Sequence, residues 1–404
     1  MTPLTSIKNK AYIDITQADY FLKFLPKKKS IHINTIINFK ITDDGHPVFL
    51  SVKKPIKVSS NGKALEFEKF YFPNSDTYGY FLKEYFQPGQ YQIEIETELT
   101  KEDDLKFQKS KKVEFAFYLK DYENMNFLEK YLPTNFEFDQ YKANVYLDMQ
   151  ALKNRHQVIA NAKITTKLKN NFVLSYPKFY NSSAFFLQIL PTSKVHHINT
   201  SYKSIDGREI PITIYTEDSL FNKVDIKPFL QTTLTEIKYL ESSLGAFPHD
   251  LLIVHAISGS SPLRSMEYAG ATRTKLRSLR HELIHSYFGR GVLSADGRSG
   301  WIDEAITTWL DKYNNYVYEL PQNLTLISNP EFYTGTEQSS YSAGRNLFAY
   351  FHYHFSDQGG LRPFLLHLIN TKMYSTLTTK ELFIELENFY GVDMNGVYQQ
   401  VFLN

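Results

Sequence analysis

The segment Arg280-His281-Glu282-Leu283-Ile284-His285 sets two histidines four residues apart. On a helix, side chains at i and i+4 lie one above the other on a single face, so both imidazoles can reach one metal ion. Glu282 sits close to the same face, near such an ion without having to ligate it. This HExxH order is the arrangement of zinc hydrolases, with the glutamate as catalytic base. A third ligand is still needed, and after eighteen intervening residues His285 is followed by Glu304. The stretch Trp301-Ile302-Asp303-Glu304-Ala305-Ile306-Thr307-Thr308-Trp309-Leu310 reads as a helix, because Ile302, Ala305, Ile306, Trp309 and Leu310 form a broad apolar stripe. The turn-rich loop Asp296-Gly297-Arg298-Ser299-Gly300 lets the two helices pack antiparallel and brings Glu304 opposite the histidines. Two His and one Glu leave a fourth position open, as a catalytic zinc requires. The bland alternative is a chance match on a surface helix. A second Glu at this spacing, flanked by Trp and Ala, argues against it.

The rest of the composition narrows the class. The 404 residues include no cysteine, so disulfides and thiolate sites are excluded and a transition metal must be held by His and carboxylate. The formal net charge is +2 and no long basic run exists, so nucleic acid is not expected as a partner. The short cluster Lys27-Lys28-Lys29, directly after Pro26, reads as a solvated turn. Apolar runs such as Ala184-Phe185-Phe186-Leu187 are far too short to span a bilayer. The first thirty residues carry no signal-peptide pattern. The sequence as written therefore reads as cytoplasmic, or as periplasmic or secreted if a leader was trimmed, and the compartment is left open.

A length of 404 residues exceeds what one core usually serves, so two domains are expected. The first half reads as β. Ile31 to Lys40, Tyr91 to Thr97, Lys112 to Tyr118, Val145 to Leu147, Val158 to Leu168 and Ile210 to Tyr215 are rich in alternating or β-branched residues. Turn signals at Asn61-Gly62, Pro88-Gly89 and Asp206-Gly207 separate such runs. The second half changes period. Leu230, Leu234, Ile237 and Leu240 recur at helical spacing up to a stop at Gly245, and a short strand follows at 251–254. Helices are expected around 274–290, 302–314 and 342–355. A last one opens on the capping-box pattern Thr378-Thr379-Lys380-Glu381 and ends before Gly391. The expected fold class is α+β and multidomain. An all-β sheet domain spans 1–218 and a mainly helical catalytic domain spans 219–404.

With its ligand spacing, the sequence resembles the gluzincin aminopeptidases, the family of aminopeptidase N and leukotriene hydrolase. Those proteins carry two His, an intervening Glu and a second Glu after eighteen further residues, here His281, His285, Glu282 and Glu304. Pro133-Thr134-Asn135-Phe136-Glu137-Phe138-Asp139-Gln140-Tyr141-Lys142-Ala143 is similar to the family's Pro-Cys-Phe-Asp-Glu-Pro segment leading to Lys-Ala, with one residue inserted and the Cys lost. Thr378 to Val401 looks like the end of the family's catalytic domain. The resemblance is weak over the first hundred residues and strong from 250 to 310. It implies that residues 219–404 form a thermolysin-like zinc domain. The family's helical C-terminal domain has no counterpart here, which implies a more open cleft.

The resemblance also assigns roles to further residues. The family motif Gly-x-Met-Glu-Asn aligns with Arg264-Ser265-Met266-Glu267-Tyr268, keeping Met and Glu and losing Gly and Asn. It implies that Met266 and Glu267 line the substrate site and that Glu267 binds a free α-amino group, a charge-assisted contact. The catalytic Tyr is expected at Tyr341, in Tyr341-Ser342-Ala343-Gly344, with Tyr333 in reserve. Asp303 and Thr308 flank the third ligand and either could orient it. His352 and His354, at i and i+2, read as structural, and His196-His197 as loop. The implied chemistry is hydrolysis of peptide substrates by a zinc aminopeptidase. A water attacks the scissile carbonyl, Glu282 takes its proton, and the Tyr341 hydroxyl stabilises the oxyanion. Three other readings stay open: an endopeptidase with an open cleft, a zinc epoxide hydrolase, and a catalytically silent relative that binds peptides or proteins.

Overall fold

A computed structural model describes residues 2–71, 78–100, 105–107, 112–117, 127–152, 155–168, 170–217, 224–312, 317–321, 324, 326 and 339–402. The chain divides into two compact units, Met1–Val195 and His196–Asn404, a division that falls ahead of the change of composition near residue 218.

The first unit is built on long strands. Lys10–Leu25 runs antiparallel to Ser30–Ile41, which in turn pairs with Gly89–Leu99. The turn between the first two carries Lys27, Lys28 and Lys29, with Lys29 at positive φ. Alternation fixes which side chains face inward. Ala11, Ile13 and Ile15 are buried at odd positions, whereas Ala18, Tyr20, Leu22 and Phe24 are buried at even ones. A register shift between Ile15 and Gln17 reconciles the two sets, since one extra residue flips every later side chain to the other face. Past this bulge the strand pairs in parallel with Lys142–Asp148. The segment before that strand is tied in by Asn135 and Asp139, whose carboxylate accepts from the Ile15 backbone N–H at 2.9 Å. Asn61 and Gly62, both at positive φ, make the hairpin expected of an Asn-Gly pair.

The second unit opens with a five-stranded sheet. Its strands, in chain order, are β1 (Val195–Lys203), β2 (Glu209–Glu217), β3 (Leu252–Ala256), β4 (Met266–Tyr268) and β5 (Ala271–Thr274). Their spatial order is β1, β2, β3, β5, β4. The strands β2, β3 and β5 run parallel, and β4 folds back antiparallel as an edge. Every residue of β3 is buried, as a central parallel strand requires. His196 and His197, expected in a loop, lie in β1, because that strand alternates half-buried and exposed residues along the sheet edge. The expected β segment at 210–215 likewise belongs to this sheet.

The parallel pair β2–β3 is joined by α1 (Lys227–Leu244), closed by Gly245 at φ 88°. Among the described residues the remaining helices are α2 (Leu279–Ile284), α3 (Trp301–Asp311), α4 (Arg345–His354), α5 (Arg362–Lys372), α6 (Thr379–Tyr390) and α7 (Asn395–Phe402). The capping box of α6 forms in full and Gly391 ends it in the left-handed region. Together α1, α3, α4 and α6 bury Ile237, Trp301, Trp309, Phe348 and Leu386 in one core. Truncating a buried Trp in such a core costs roughly 3–5 kcal/mol.

Candidate active site

Three short elements converge on one point. The helix α2 is much shorter than the expected 274–290. It ends at Ile284, with His285 still in helical conformation and its N–H bonded to the His281 carbonyl at 3.3 Å. The next turn reverses because Gly289 sits at φ 101° and a Cβ at Gly291 would stand 2.5 Å from the Tyr287 carbonyl oxygen. At Gly289 a Cβ would also meet Asp303 Oδ2 at 2.9 Å and His285 Nδ1 at 3.3 Å, so this turn lies directly on the site.

The helix α3 supplies Glu304 from its first turn. It is pinned by the buried Trp301, whose indole N–H donates to Thr379 Oγ1 at 3.0 Å. Before α4 the chain makes a π-helical turn, Ser340–Gly344, where the sequence suggested a plain helix. A Cβ at Gly344 would stand 2.7 Å from Ala305 Cβ, so only glycine lets this turn approach α3 so closely. That approach delivers the Tyr341 hydroxyl to Glu304 Oε1, to which it donates at 2.5 Å. Inserted π turns recur at functional sites.

The distances inside the site are narrowly matched. His281 Nε2 lies 3.3 Å from His285 Nε2. Glu304 Oε2 lies 3.3 Å from the first and 3.4 Å from the second. Ligands around a tetrahedral zinc, with bonds of roughly 2.0–2.1 Å, stand about 3.3–3.4 Å apart. Glu304 Oε2 is also buried without a hydrogen bond of good geometry, although it faces both imidazoles. A buried acceptor left in that condition is costly unless a cation meets it. His285 Nδ1 faces the Phe288 carbonyl at 3.2 Å and Thr307 Oγ1 at 3.3 Å, which turns Nε2 toward His281 and Glu304. On these grounds the three residues fit a zinc ion.

The electrostatics agree. Glu267, Glu282 and Glu304 are all buried, with Asp303 half-buried beside them. Burial opposes a charge on His285, but Glu267 and then Glu304 push its imidazolium up to about 10. Burial would raise Glu304, yet His285 and His281 hold its carboxyl below the ordinary range. Burial, then Glu267, raises the Glu282 carboxyl well above that range, with His285 opposing. Burial lifts Asp303 to about 7 against the pull of His285. For Tyr341, burial and then Glu304 keep the phenol protonated far above neutrality. This protein alone thus carries an excess of buried carboxylate, the environment that binds a cation and tunes a carboxyl for proton transfer.

The other expected residues fall as follows. Met266 and Glu267 are both buried in the edge strand β4, and residues 261–265 before them are loop rather than strand. Glu267 Oε1 accepts from Arg290 Nη2 at 3.0 Å. Thr308 Oγ1 is buried without a partner, while its neighbour Thr307 reaches His285. Asp303 Oδ1 accepts from the Glu304 N–H at 2.6 Å. His352 Nδ1 accepts from the Leu361 N–H at 3.0 Å, away from the site. Tyr333 lies outside the described residues. Sequence reasoning missed Arg290 and Thr307. The i, i+3 relation of Thr307 to Glu304 could have revealed the second, but no local pattern marks Arg290.

No family model matches this sequence, and no curated protein matches it. Its fold does have relatives among solved structures, and that fold is the one of the M1 zinc metallopeptidases. The M1 zinc metallopeptidase of Deinococcus radiodurans superposes with a TM-score of 0.70 at 14% identity, covering 99% of this chain and 96% of that one. A mutant of that enzyme bound to a Tyr-Ser-Ala substrate superposes at 0.67 and 14%, covering 96% of this chain and 93% of that one. Yeast leukotriene A4 hydrolase in complex with bestatin gives 0.69 at 14%, covering 96% of this chain and 66% of that one.

Proposed function

We propose that this chain is a zinc-dependent metallopeptidase with a thermolysin-like catalytic domain, and that it removes N-terminal residues from peptides. The observation that carries the reading is the triangle of His281, His285 and Glu304, whose three donor atoms stand 3.3–3.4 Å apart. The three residues would hold one zinc ion, which when bound supplies a Lewis acid for a carbonyl and a means of acidifying water. Glu282 accepts the proton of the attacking water and passes it to the leaving amine, a role that suits a buried carboxyl whose proton affinity is raised. The Tyr341 hydroxyl, already a donor in the site, turns from Glu304 to the developing oxyanion. The strand β4 lies at the edge of its sheet, where an extended peptide can add as a further strand, and it carries Met266 and Glu267, which would line the site of the substrate's first residue. The fold relative bound to Tyr-Ser-Ala supports a peptide substrate.

A second reading, cleavage of peptides that lack a free amine, is favoured by one observation. Glu267, the residue that would bind an α-ammonium group, already holds the Arg290 guanidinium. Hydrolysis of fluorogenic peptides, free and N-acetylated, by protein of measured zinc content tests the function. One zinc per chain with cleavage of the free peptides is expected. Zinc bound without cleavage of either series would sink the peptidase reading and favour a silent binding protein.

A further inference from the structure

The pair Glu267–Arg290 sits beside the metal triangle, and its construction is specific. Both side chains are almost wholly inaccessible, at 4% and 6% exposure, so solvent and salt screen the contact little. Arg290 occupies the sharp turn after α2, where its own N–H donates to the His285 carbonyl at 3.0 Å. Gly289 on one side and Gly291 on the other have no room for side chains. The guanidinium is therefore carried by the same backbone that carries a metal-ligand candidate. Its charge also opposes ionisation of the buried His249.

The geometry points to Arg290 as a specificity-determining residue: it serves as a resident counter-cation for Glu267, so that the site does not demand a free α-amino group. The inference rests on the metallopeptidase reading above and, within it, deepens the second alternative, cleavage that needs no free amine. A carboxylate that faces a substrate ammonium as an unneutralised anion gains a strong charge-assisted bond. A carboxylate already held by a guanidinium presents a nearly neutral pair, and the guanidinium repels an incoming ammonium at close range. The uncharged amide of an acetylated or internal residue meets no such repulsion. Discrimination between free and blocked substrates is thus set by Arg290 rather than by Glu267 alone.

The test is binding to zinc-loaded full-length protein carrying Glu282→Gln, which keeps the peptide intact during calorimetry. The probes are Tyr-Ser-Ala and N-acetyl-Tyr-Ser-Ala. With Arg290 in place, the free peptide is expected to bind less than tenfold more tightly than the acetylated one. Adding Arg290→Gln should raise that ratio at least tenfold, or about 1.4 kcal/mol, while Arg290→Lys should leave it near the starting value. A ratio above about a hundredfold with Arg290 present, or no rise in the Gln variant, overturns the proposal. The first arm needs no change at Arg290, so it remains decisive if the Gln variant does not fold. Comparable binding of both peptides, with wild-type protein cleaving neither, would sink the peptidase reading and leave the role of Arg290 standing. Binding of neither peptide overturns both.

Discussion

Two places in the second unit treat buried charge in opposite ways. At the triangle of His281, His285 and Glu304, the protein gathers three donor atoms and leaves them facing one another, with Glu304 Oε2 buried and poorly satisfied. At Glu267, a few ångströms of chemistry away, it supplies its own cation in Arg290. Under the proposed function, the difference separates a site built to receive an ion from a site already closed by the chain's own cation. Two buried imidazoles make the same point. Carboxylates push His285 up to about 10, whereas burial, with Arg290 and Arg208 also opposing its charge, pushes His249 down to about 3. Depth is alike in both, so neighbours decide the sign.

The comparison can be broken at several points. Stripping the metal with a chelator should have the largest effect, abolishing hydrolysis until zinc is restored. The triangle should also lose the stabilisation that bound metal gives, about 2.7 kcal/mol at a free zinc concentration a hundred times Kd. A melting midpoint unmoved by chelation and zinc return would show that no ion fills the triangle. Glu282→Gln comes next, with turnover expected to fall roughly 10²–10⁴-fold while zinc content stays at the wild-type level. Parallel loss of zinc would instead make Glu282 a ligand. Tyr341→Phe removes the donor that faces Glu304 Oε1 and should lower kcat roughly 10²–10³-fold with KM little changed. An unaltered kcat would leave Tyr341 as a prop for Glu304 only.

The smallest effect tests the contrast between imidazoles. His249 is neutral in the folded protein down to about 3, whereas an unfolded histidine titrates near 6.5. Between these values the unfolded state binds more protons, so stability is full above about pH 6.5 and falls as pH drops toward 3. Moving from about pH 7.5 to pH 5 should therefore cost about 2 kcal/mol through this residue. Denaturant unfolding of His249→Leu should show a pH dependence shallower by that amount. Equal slopes in the two proteins would place His249 in a charged state or at the surface.

Much of this was legible in the sequence because it is local. The i, i+4 histidines, the stripe that made α3 a helix, the Thr378 capping box and the stop at Gly245 are each set by residues within a turn or two of one another. Helix period and end signals act at that range, so composition near the residue suffices. Other features misled for the same reason. The histidines 196 and 197 have no local signature of an edge strand, and the expected helix over 274–290 ignored what two glycines would do at 289 and 291.

What the sequence determined by itself is therefore the inventory: two imidazoles on one helix face, a carboxylate between them, another on a following helix, and no thiol to compete. Only the tertiary structure decided that the three donor atoms stand 3.3–3.4 Å apart, that Thr307 rather than Thr308 meets His285, and that Arg290 closes on Glu267 across 23 positions of chain. Such contacts depend on where separate elements are packed. A charge in a dry interior also acts on its spatial neighbours with little screening, whatever their distance along the sequence.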